Sequence, residues 1–554
     1  MTEAEPHNPH TFRGLLAPGY SDIGFLTVNF NIAMPKLTID QREVDVPEGA
    51  TILDAARKLG IDIPALCHRD GCAPSTSCLV CMVRVGRNHR LAPSCATLVE
   101  EGMEVESETG AVHQVRRSAL ELLLSDHLGD CLAPCYFGCP AEMDIPVMLR
   151  QIAGGDLRGA IATVKRDIAL PAVLGRICPA PCEKVCRRGD LDAAVSICLL
   201  KRLVADVDLA SGDPYSPPCR PASGKRVAIV GGGPAGLAAA YYLRQFGHDC
   251  TLFDENATLG GRLLYETSEA DLPRSVLTAE IAAITRLGVA LELGARVPLD
   301  RLNDLLARFD AVLLACGATG REQAAACGLP MSPRGIEVNP QTYETAIGRV
   351  FAAGNAIRAK GLAVRCVADG KEAAAAIHQV LSGQPATGLT RPFTTRIGHM
   401  EGDELVRFSV GAGQQPRRDP AGGRAAGFDA AEGARQAARC LRCDCRGLDT
   451  CKLRKYAARY GANPRHYKAN RRTFQADVQH AEVIYEPGKC IDCGLCIQIA
   501  AAAGEPLGLT FVGRGFDVRV AVPLDRSLAD ALTKVAAECV AACPTAALAW
   551  KQEK

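Results

Sequence analysis

Lys225 to Leu263 reads KRVAIVGGGPAGLAAAYYLRQFGHDCTLFDENATLGGRL, and this stretch decides the fold of the chain. Its apolar residues 227–230 are typical of a buried parallel strand, and the pattern G-x-G-x-x-G follows them at once. In that pattern Gly231 permits a tight turn, Gly233 lets the backbone approach a pyrophosphate, and Gly236 lets the next helix pack closely on the strand. The stretch therefore predicts a dinucleotide-binding unit of the Rossmann type.

The residues after the glycines support this interpretation. They predict a helix that ends near Phe246 and Gly247, with its free N–H groups and positive dipole end directed at the phosphates. A second strand over residues 250–253 then places Asp254 to accept a hydrogen bond from a ribose hydroxyl. A glycine pattern alone is weak evidence, but strand, turn, helix, strand and acid in this order are specific.

Two further motifs distinguish between NAD and FAD, which share this fingerprint. Gly260-Gly261-Arg262 follows the acid, and the chain later reads VFAAGN from Val350 to Asn355. Both motifs resemble those of flavin-containing disulfide-reductase-like proteins, in which the last position of the second motif is usually Asp. The resemblance implies FAD, with Asn355 hydrogen-bonding the ribityl–phosphate region. The cofactor-binding residues it implies are Gly231, Gly233, Pro234, Ala235, Gly236, Asp254, Gly261, Arg262, Gly317, Gly354 and Asn355.

The composition limits the function classes. The chain has 554 residues, enough for several domains. With 63 Lys+Arg against 62 Asp+Glu it lacks the basic excess of a nucleic-acid-binding protein. No apolar run reaches the roughly 18 residues of a membrane span, and the start MTEAEPHNPHTFRG is unlike a secretory signal. We therefore expect a cytoplasmic protein without a membrane span and without a nucleic-acid partner.

The 26 cysteines cluster at short spacings, which favours metal ligation over disulfides in a chain without an export signal. Residues 36–61 read as a hairpin and a helix, and Cys67, Cys78, Cys81 and Cys95 follow at C-x10-C-x2-C-x13-C. This spacing resembles the [2Fe–2S] domain of the large iron–sulfur subunit of complex I and of iron-only hydrogenases. Four thiolates are what two sulfide-bridged iron atoms need. A zinc ribbon, the alternative, would need two short cysteine pairs.

Residues 113–222 are expected to be helical and carry two cysteine sets, namely Cys131, Cys135 and Cys139, then Cys178, Cys182 and Cys186. Together with the strand behind them they resemble the N-terminal domain of the glutamate synthase small subunit and of dihydropyrimidine dehydrogenase, which holds two [4Fe–4S] clusters. The resemblance implies one cluster on Cys139, Cys178 and Cys182. The family's fourth ligand falls at Lys201 here, so Cys198, one helical turn earlier, is the predicted substitute.

The family's second cluster would use Cys135 and Cys186, and it needs a C-x2-C pair that this region lacks. Cys131 and His127 are one way to complete it. Far downstream, a helix followed by Cys440, Cys443, Cys445 and Cys451 resembles the opening of the same domain. We favour a separate [4Fe–4S] cluster on these four cysteines. Alternatively, Cys440 and Cys443 fold back to the site near Cys135, or the four hold structural zinc.

The flavin region departs from its relatives in one respect. In them a strand ending in Ala-Thr-Gly leads into a second Rossmann unit that binds NADPH. Here residues 309–317 end in Ala-Cys-Gly, and Gly335-Ile336-Glu337, which resembles the segment after that unit, follows only about 18 residues later. A βαβ unit alone needs about 30 residues. We therefore expect the nicotinamide domain to be missing and residues 362–381 to form the closing helix, with its N-terminus towards the flavin.

The last cysteines follow the bacterial ferredoxin pattern for a [4Fe–4S] cluster, with Cys490, Cys493 and Cys496 close together and a remote Cys543-Pro544. Gly513-Arg514-Gly515-Phe516-Asp517 resembles the ferredoxin segment of formate dehydrogenases and iron-only hydrogenases. The cysteines of a second ferredoxin cluster are missing from the pattern, so Cys539 is predicted to be unligated.

These patterns predict a multidomain protein of α/β and α+β class. The expected parts are an N-terminal extension (1–35), a β-grasp [2Fe–2S] ferredoxin domain (36–112), a helical [4Fe–4S] domain (113–222), a truncated Rossmann-like FAD domain (223–389), a linker with a Cys-rich [4Fe–4S] segment (390–480) and a ferredoxin-like [4Fe–4S] domain (481–554). The expected cofactors are FAD, one [2Fe–2S] cluster and three to four [4Fe–4S] clusters.

The predicted function is electron transfer, since no Ser/His/Asp or Cys/His arrangement suggests hydrolysis and no catalytic residue is assigned. We predict an electron-transfer subunit of a larger oxidoreductase complex. Its partners would be a catalytic subunit of formate dehydrogenase, hydrogenase, 2-oxoacid or aldehyde oxidoreductase type and a ferredoxin or NAD(P)H-linked protein. One alternative is a self-contained NAD(P)H:acceptor oxidoreductase of the glutamate synthase small-subunit type. Another is a non-redox scaffold with structural zinc.

Overall fold

The computed structural model describes residues 34–298, 302–318, 320–358, 360–467 and 471–551. These residues form two compact units, one of residues up to Ile63 together with Val83–Ser107, and one of Pro64–Met82 together with the chain from Glu108 onward. Residues 1–33, most of the predicted N-terminal extension, lie outside the described residues. The loop Pro64–Met82, which the sequence places in the ferredoxin domain 36–112, belongs to the second unit.

The first unit combines a mixed sheet with a short helix. Its elements are β1 (Lys36–Ile39), β2 (Arg42–Asp45), α1 (Ile52–Lys58), β3 (Met82–Val85), β4 (Arg90–Pro93) and β5 (Met103–Glu106). The strand order is β2-β1-β5-β3-β4, with β1 antiparallel to β2 and parallel to β5. Helix α1 begins where it does because Thr51 and Asp54 cap it reciprocally, each side chain accepting from the other's backbone N–H. The predicted hairpin and helix are confirmed.

The second unit starts with a helical region that agrees with the prediction for residues 113–222. Three of its short helices begin at Pro134, Pro171 and Pro181. Proline suits a first helical turn because its missing N–H would have no partner there. Each of these helices contains a cysteine or ends at one. The helices are α2 (Gly110–Ser125), α3 (Pro134–Gly138), α4 (Ile145–Ala153), α5 (Leu157–Asp167), α6 (Pro171–Ile177), α7 (Pro181–Lys184) and α8 (Ile197–Ala210).

The Rossmann-like region follows and confirms the unit predicted from the glycine stretch. Its elements are β6 (Arg226–Val230), α9 (Pro234–Gln245), β7 (Asp249–Asp254), α10 (Arg262–Tyr265), α11 (Arg274–Thr285), β8 (Ala290–Leu293), α12 (Leu302–Arg308), β9 (Ala311–Leu314), α13 (Arg321–Ala326), β10 (Met331–Ser332), β11 (Gly335–Ile336), β12 (Val350–Ala352) and α14 (Ala363–Leu381). The sheet order is β12-β9-β6-β7-β8, and all neighbours are parallel. Between β9 and β12 the chain forms α13 and the hairpin β10–β11, a connection as short as the spacing predicts.

The remaining residues contain four helices and then a small domain of paired strands. The helices are α15 (Gly402–Phe408), α16 (Gly423–Ala426), α17 (Ala430–Ala437) and α18 (Lys452–Arg459). The small domain has β13 (Val483–Tyr485), α19 (Leu495–Ala502), β14 (Thr510–Val512), β15 (Arg519–Ala521), α20 (Leu528–Ala531), α21 (Ala536–Ala542) and β16 (Leu548–Trp550). Strand β13 pairs with β16, and β14 with β15.

The segment 390–480, expected to be a linker, is packed against the helical region. Helix α17 contacts α4 and α8. The arginines that make the segment look like a linker are used in its docking, because Arg439 is fully buried and donates to Gln415 O at 2.9 Å and Ala193 O at 2.8 Å. Among the described residues, none of the helices is both long and apolar enough to cross a membrane.

Candidate functional site

A cavity of about 620 Å³ opens where β6, β7 and β9 end, in front of α9. This edge, outside the carboxyl ends of parallel strands, is where such sheets bind ligands. Gly236 and Gly354, two predicted cofactor residues, are absent from its lining. The predicted residues that do line it are Gly231, Gly233, Pro234, Ala235, Asp254, Gly261, Arg262, Gly317 and Asn355.

The three glycines of the fingerprint have different geometric roles. Gly231 has φ of 111°, and a side chain there would meet the carbonyl of Ala315. A Cβ at Gly236 would overlap the carbonyl oxygen of Gly231, so this glycine is required for close packing. At Gly233 a Cβ would meet no protein atom within 4 Å, although the residue lines the cavity. The space beside Gly233 therefore fits a group that approaches the backbone closely, as a pyrophosphate does.

Asp254 holds the glycine turn as well as facing the cavity. Its Oδ2 accepts a hydrogen bond from Gly232 N at 2.7 Å, and its Oδ1 accepts from Asn256 N at 2.9 Å. A carboxylate has about four acceptor sites, so capacity for a ribose hydroxyl remains. Asn355 is also in use, since its Oδ1 accepts from the Cys366 thiol at 3.6 Å. Backbone, helix N-terminus and carboxylate together fit a dinucleotide.

A second, small cavity is lined by four cysteines, which we call the Cys182 group: Cys139, Cys178, Cys182 and Cys198. Burial raises the pKa of Cys182 to about 12, and the nearby Cys139 thiol adds to the shift. A hydrogen bond from Cys198 lowers the pKa of Cys178. The structure thus gathers the three cysteines implied by the resemblance together with Cys198. Lys201 lines the same cavity.

A further set, the Cys443 group, joins residues far apart in sequence: Cys135, Cys186, Cys440 and Cys443. Burial raises the pKa of Cys135 well above its usual range, and the charges of Cys440, Cys443 and Cys186 raise it further. The Arg187 guanidinium lies near Cys443 and pairs with Asp130 at 2.7 Å. The docked α17 places the C-x2-C pair of Cys440 and Cys443 near Cys135, as the alternative stated from the sequence expects. The separate cluster on Cys440, Cys443, Cys445 and Cys451 stays a prediction.

The other cysteines of that segment form the Cys451 group with Cys131, namely Cys131, Cys445 and Cys451. Cys445 N donates to Cys131 O at 3.1 Å. Burial raises the pKa of Cys451 to about 12, with Cys445 and Cys131 adding to it. Cys131 thus lies near Cys445 and Cys451, and its use in the site of Cys135 and Cys186 stays a prediction.

His127 was the other residue considered for that site. Its Nδ1 is buried without a hydrogen-bond partner, and burial lowers its pKa to about 4. Its ring and the side chain of Lys489 both lie against Gly129, and Lys489 Nζ is 3.9 Å from Cys445 Sγ. His127 is thus on the side of the Cys451 group.

The C-terminal domain gathers the predicted ferredoxin ligands, the Cys493 group: Cys490, Cys493, Cys496 and Cys543. Backbone N–H groups point at their sulfur atoms, from Asp492 to Cys490 Sγ at 3.4 Å and from Leu548 to Cys543 Sγ at 3.5 Å. Such N–H···S bonds tune iron–sulfur clusters. The nearby Cys539 thiol donates to Cys496 O at 3.7 Å.

The loop Pro64–Met82 carries Cys67, Cys78 and Cys81, all buried. Cys67 and Cys78 have their sulfur atoms 3.3 Å apart. The loop docks on the C-terminal domain, where Ser75 Oγ donates to Cys493 O at 3.0 Å. Cys95 is part of the first unit and is also buried. Across the described residues, no three His, Cys, Asp or Glu side chains converge tightly enough for a single metal ion.

Within the second unit the cysteine groups form a row in which each group lies near the next. Cys67 lies near Cys493, Cys543 near Cys451, and Cys182 near Cys135. The Cys451 and Cys443 groups are joined through the chain, because Cys443 and Cys445 are nearly adjacent in sequence. At the far end, Ile177 lines the nucleotide cavity and its neighbour Cys178 lines the cavity of the Cys182 group.

Comparison with known families agrees with these sites. Residues 33–110 match the 2Fe-2S iron-sulfur cluster binding domain. Residues 127–213 match dihydropyrimidine dehydrogenase domain II, 4Fe-4S cluster, and residues 229–290 match the NAD(P)-binding Rossmann-like domain. The predicted [2Fe–2S] ferredoxin domain, helical [4Fe–4S] domain and Rossmann-like domain are confirmed.

Individual relatives are oxidoreductase subunits. The chain is 39% identical over 218 residues to the NADP(+)-dependent formate dehydrogenase subunit beta of Moorella thermoacetica, covering 35% of this chain and 31% of that protein. It is 38% identical over 191 residues to the NADPH-Fe(3+) oxidoreductase subunit beta of Geobacter sulfurreducens, covering 34% and 28%. It is 35% identical over 217 residues to the glutamate synthase [NADPH] small chain of Mycobacterium tuberculosis, covering 39% and 43%.

Over these ranges the chain is similar to parts of these oxidoreductase subunits. It spans less than half the length of each of them. Among solved structures, an NAD+-reducing [NiFe]-hydrogenase aligns over 94% of this chain and 88% of that chain, with 12% identity and a TM-score of 0.34. A similarity that low carries no argument.

The charged side chains beside the cysteine groups were not predicted from the sequence. Lys201, Arg187 and Lys489 are all buried. Arg187 directly follows Cys186, and Lys489 directly precedes Cys490. The position of these basic residues next to predicted ligand cysteines could have indicated them. Cys316 and Cys366 also line the nucleotide cavity, and the Ala-Cys-Gly strand end was the sign for the first of them.

Proposed function

We propose that this chain is the electron-transfer subunit of a larger oxidoreductase complex. The carrying observation is the row of cysteine groups that leads from the loop Pro64–Met82 to the nucleotide cavity. Cysteines drawn from distant parts of the chain are gathered along one path, which an electron carrier needs and a single-site enzyme does not. The homology to subunits of multi-subunit oxidoreductases supports the same function.

FAD is the cofactor we propose for the 620 Å³ cavity. The open space at Gly233, the motif Gly260-Gly261-Arg262 and the position of α14, whose Ala363 lines the cavity, support it. When bound, a flavin exchanges two electrons or one, whereas an iron–sulfur cluster carries one. The protein residues hold the dinucleotide through backbone N–H groups, the N-terminus of α9 and the Asp254 carboxylate.

For the metal centres, we assign a [2Fe–2S] cluster to Cys67, Cys78, Cys81 and Cys95. We assign [4Fe–4S] clusters to the Cys182, Cys443, Cys451 and Cys493 groups. The Cys451 group has three cysteines, and its proposed fourth donor is His127, whose buried Nδ1 has no hydrogen-bond partner. The donor chemistry fits, since thiolates with occasional imidazole are the ligands of such clusters. A fully loaded chain would contain about 18 iron atoms.

Substrate chemistry belongs, in this proposal, to a partner subunit. The partner would be of formate dehydrogenase, hydrogenase, 2-oxoacid or aldehyde oxidoreductase type. The C-terminal domain and the docked loop Pro64–Met82 form the end of the row away from the flavin. The partner would therefore exchange electrons there, with ferredoxin or an NAD(P)H-linked protein as the other redox partner.

The deciding experiment is an anaerobic titration of the purified, cluster-loaded chain with NADPH and then NADH, following flavin absorbance. We expect no bleaching with either nucleotide and full bleaching with dithionite, because electrons enter through a partner. Complex purification should then recover a catalytic subunit. Substrate oxidation or reduction at high turnover by the isolated chain would contradict the proposal.

A second candidate is a self-contained NAD(P)H-dependent oxidoreductase. The match of residues 229–290 to an NAD(P)-binding Rossmann-like domain favours it. Two outcomes identify it in the same titration: rapid bleaching by one nucleotide, or a purified chain that contains bound NAD(P) and no flavin. Metal analysis excludes a zinc scaffold if iron and acid-labile sulfide are found.

A further inference from the structure

Lys201 occupies an unusual electrostatic position. Its side chain, 5% exposed, lines the small cavity of the Cys182 group. The four cysteines of the group line the same cavity: Cys198, Cys178, Cys139 and Cys182. The ammonium group is therefore surrounded by the proposed ligands of one cluster.

The other two buried cations of the row are neutralised by carboxylates. Lys489 pairs with Glu486 at 2.5 Å, and Arg187 pairs with Asp130 at 2.7 Å. For Lys201, no carboxylate oxygen of the described residues lies within 4.0 Å of Nζ. A buried charge is costly unless an opposite charge compensates it. The cysteines that line the cavity with Lys201 are thiolates when they ligate iron, so its charge would then act on them.

We propose that Lys201 is a positioning residue that raises the reduction potential of the cluster held by the Cys182 group. The proposal rests on the proposed function. Each cluster gains one electron on reduction, so its net negative charge grows by one. A fixed positive charge nearby, on a buried side chain, stabilises the reduced form more than the oxidised form. This cluster lies beside the nucleotide cavity, and it becomes the preferred electron acceptor at the flavin end of the row.

The sequence supplies an independent argument for this role. In the resembled family the fourth ligand falls at the position of Lys201, while this chain places Cys198 one helical turn earlier. Because Cys198 lies in the same cavity, Lys201 is not needed as a cluster ligand. A hydrophobic side chain at this buried position would then cost less free energy than a lysine. The chain has a lysine there, which supports a function for the charge.

The test is an anaerobic redox titration monitored by electron paramagnetic resonance on the full chain. The samples are the wild type, Lys201→Met and the charge-retaining control Lys201→Arg. The signal of this cluster is identified as the one lost in Cys182→Ala. We expect the midpoint potential of that signal to fall in Lys201→Met and to stay near the wild-type value in Lys201→Arg. The other cluster signals should not move in either variant.

An unchanged midpoint potential in Lys201→Met would overturn the proposal. If Lys201→Met does not assemble the cluster, the neutral Lys201→Gln is titrated instead. Loss of the cluster in both neutral variants, with retention in Lys201→Arg, would also overturn it and assign the charge to cluster assembly. Failure of the proposed function is distinguished by the wild type, because a chain without iron or without a Cys182-dependent signal would contradict the cluster assignment itself.

Discussion

At the scale of single residues, substitutions at two glycines of the fingerprint distinguish a residue needed for cofactor binding from one needed for folding. A Cβ at Gly233 would meet no protein atom within 4 Å, whereas a Cβ at Gly236 would overlap the Gly231 carbonyl. We expect Gly233→Ala to lower the bound flavin content without changing the melting temperature of the apoprotein. Gly236→Ala should lower both, at about 1–3 kcal/mol of folding free energy. Flavin content after purification and thermal unfolding of the apoprotein measure the two effects.

Gly348→Ala is the matched control, since a Cβ there also meets nothing within 4 Å and the residue is outside the cavity lining. It should bind flavin normally. Full flavin occupancy in Gly233→Ala would show that no pyrophosphate passes beside this residue.

Glu280 links the Rossmann-like region to the helical region and predicts a pH effect. Its Oε1 and Oε2 accept hydrogen bonds at 2.8 Å from Ala172 N and Val173 N at the start of α6. Burial raises the pKa of Glu280 from 4.5 to about 7. The folded state therefore holds a proton that the unfolded chain releases between these values. Stability falls by about 3 kcal/mol as the pH rises through this window.

The variant Glu280→Gln removes that titration. Compared with the wild type, it should gain relative stability between about pH 5 and about pH 8, measured as the difference in melting temperature by circular dichroism. Glu322→Gln, at an exposed position, should show no such change. A constant difference between Glu280→Gln and the wild type at all pH values would mean that the carboxyl stays ionised.

At the scale of elements, the segment around α17 decides how the cysteines are shared. If the groups are as assigned, Cys443→Ala and Cys135→Ala must remove one and the same cluster signal, and Cys451→Ala and Cys131→Ala another. Difference spectra by electron paramagnetic resonance test this pairing. A single signal lost in both Cys443→Ala and Cys451→Ala would restore the separate four-cysteine cluster.

The docking of this segment depends on Arg439. The residue is fully buried, donates to Asp192 Oδ1 at 2.9 Å, and holds backbone carbonyls of residues 193 and 194. Loss of these donors leaves polar groups unpaired, and each buried unpaired group costs about 1–3 kcal/mol. We expect Arg439→Met to release the segment, so that limited proteolysis cleaves within residues 414–436 and the signal of the Cys443 group is lost. The control Arg418→Met, at an exposed position of the same segment, should resist proteolysis like the wild type.

The elements themselves were largely predictable from sequence. The glycine pattern and the apolar runs determine local structure, so β6, α9, β7 and α14 lie where the pattern predicts them. The ferredoxin cysteines followed a known pattern, because three of them are close in sequence and the remote Cys543 precedes a proline. The sequence left the Cys443 group as an alternative and did not indicate the Cys451 group, since Cys131 and Cys445 are brought together by tertiary docking. The spacing of cysteines in the sequence does not indicate the buried arginine contacts that hold residues 390–480 against the helical region.

For the whole molecule, the row predicts that electrons between flavin and the C-terminal domain pass through the middle groups. The Cys443 group lies between the Cys182 and Cys451 groups, through Cys135 on one side and the Cys443–Cys445 link on the other. In Cys443→Ala we expect photoreduced flavin to reduce the cluster of the Cys182 group as in the wild type. Reduction of the cluster of the Cys493 group should become much slower, measured by rapid-freeze electron paramagnetic resonance.

The control for this experiment is Cys539→Ala, because Cys539 is buried beside the Cys493 group and is predicted not to ligate. It should transfer electrons at the wild-type rate. Equal rates in Cys443→Ala and the wild type would mean that the flavin and the C-terminal cluster exchange electrons by another route. The row would then be a set of independent sites, and the partner would dock near the flavin. A slow rate in Cys443→Ala alone would show that the cysteine groups form one electron-transfer path. It would also explain why cysteines from distant parts of the chain are brought together in the second unit.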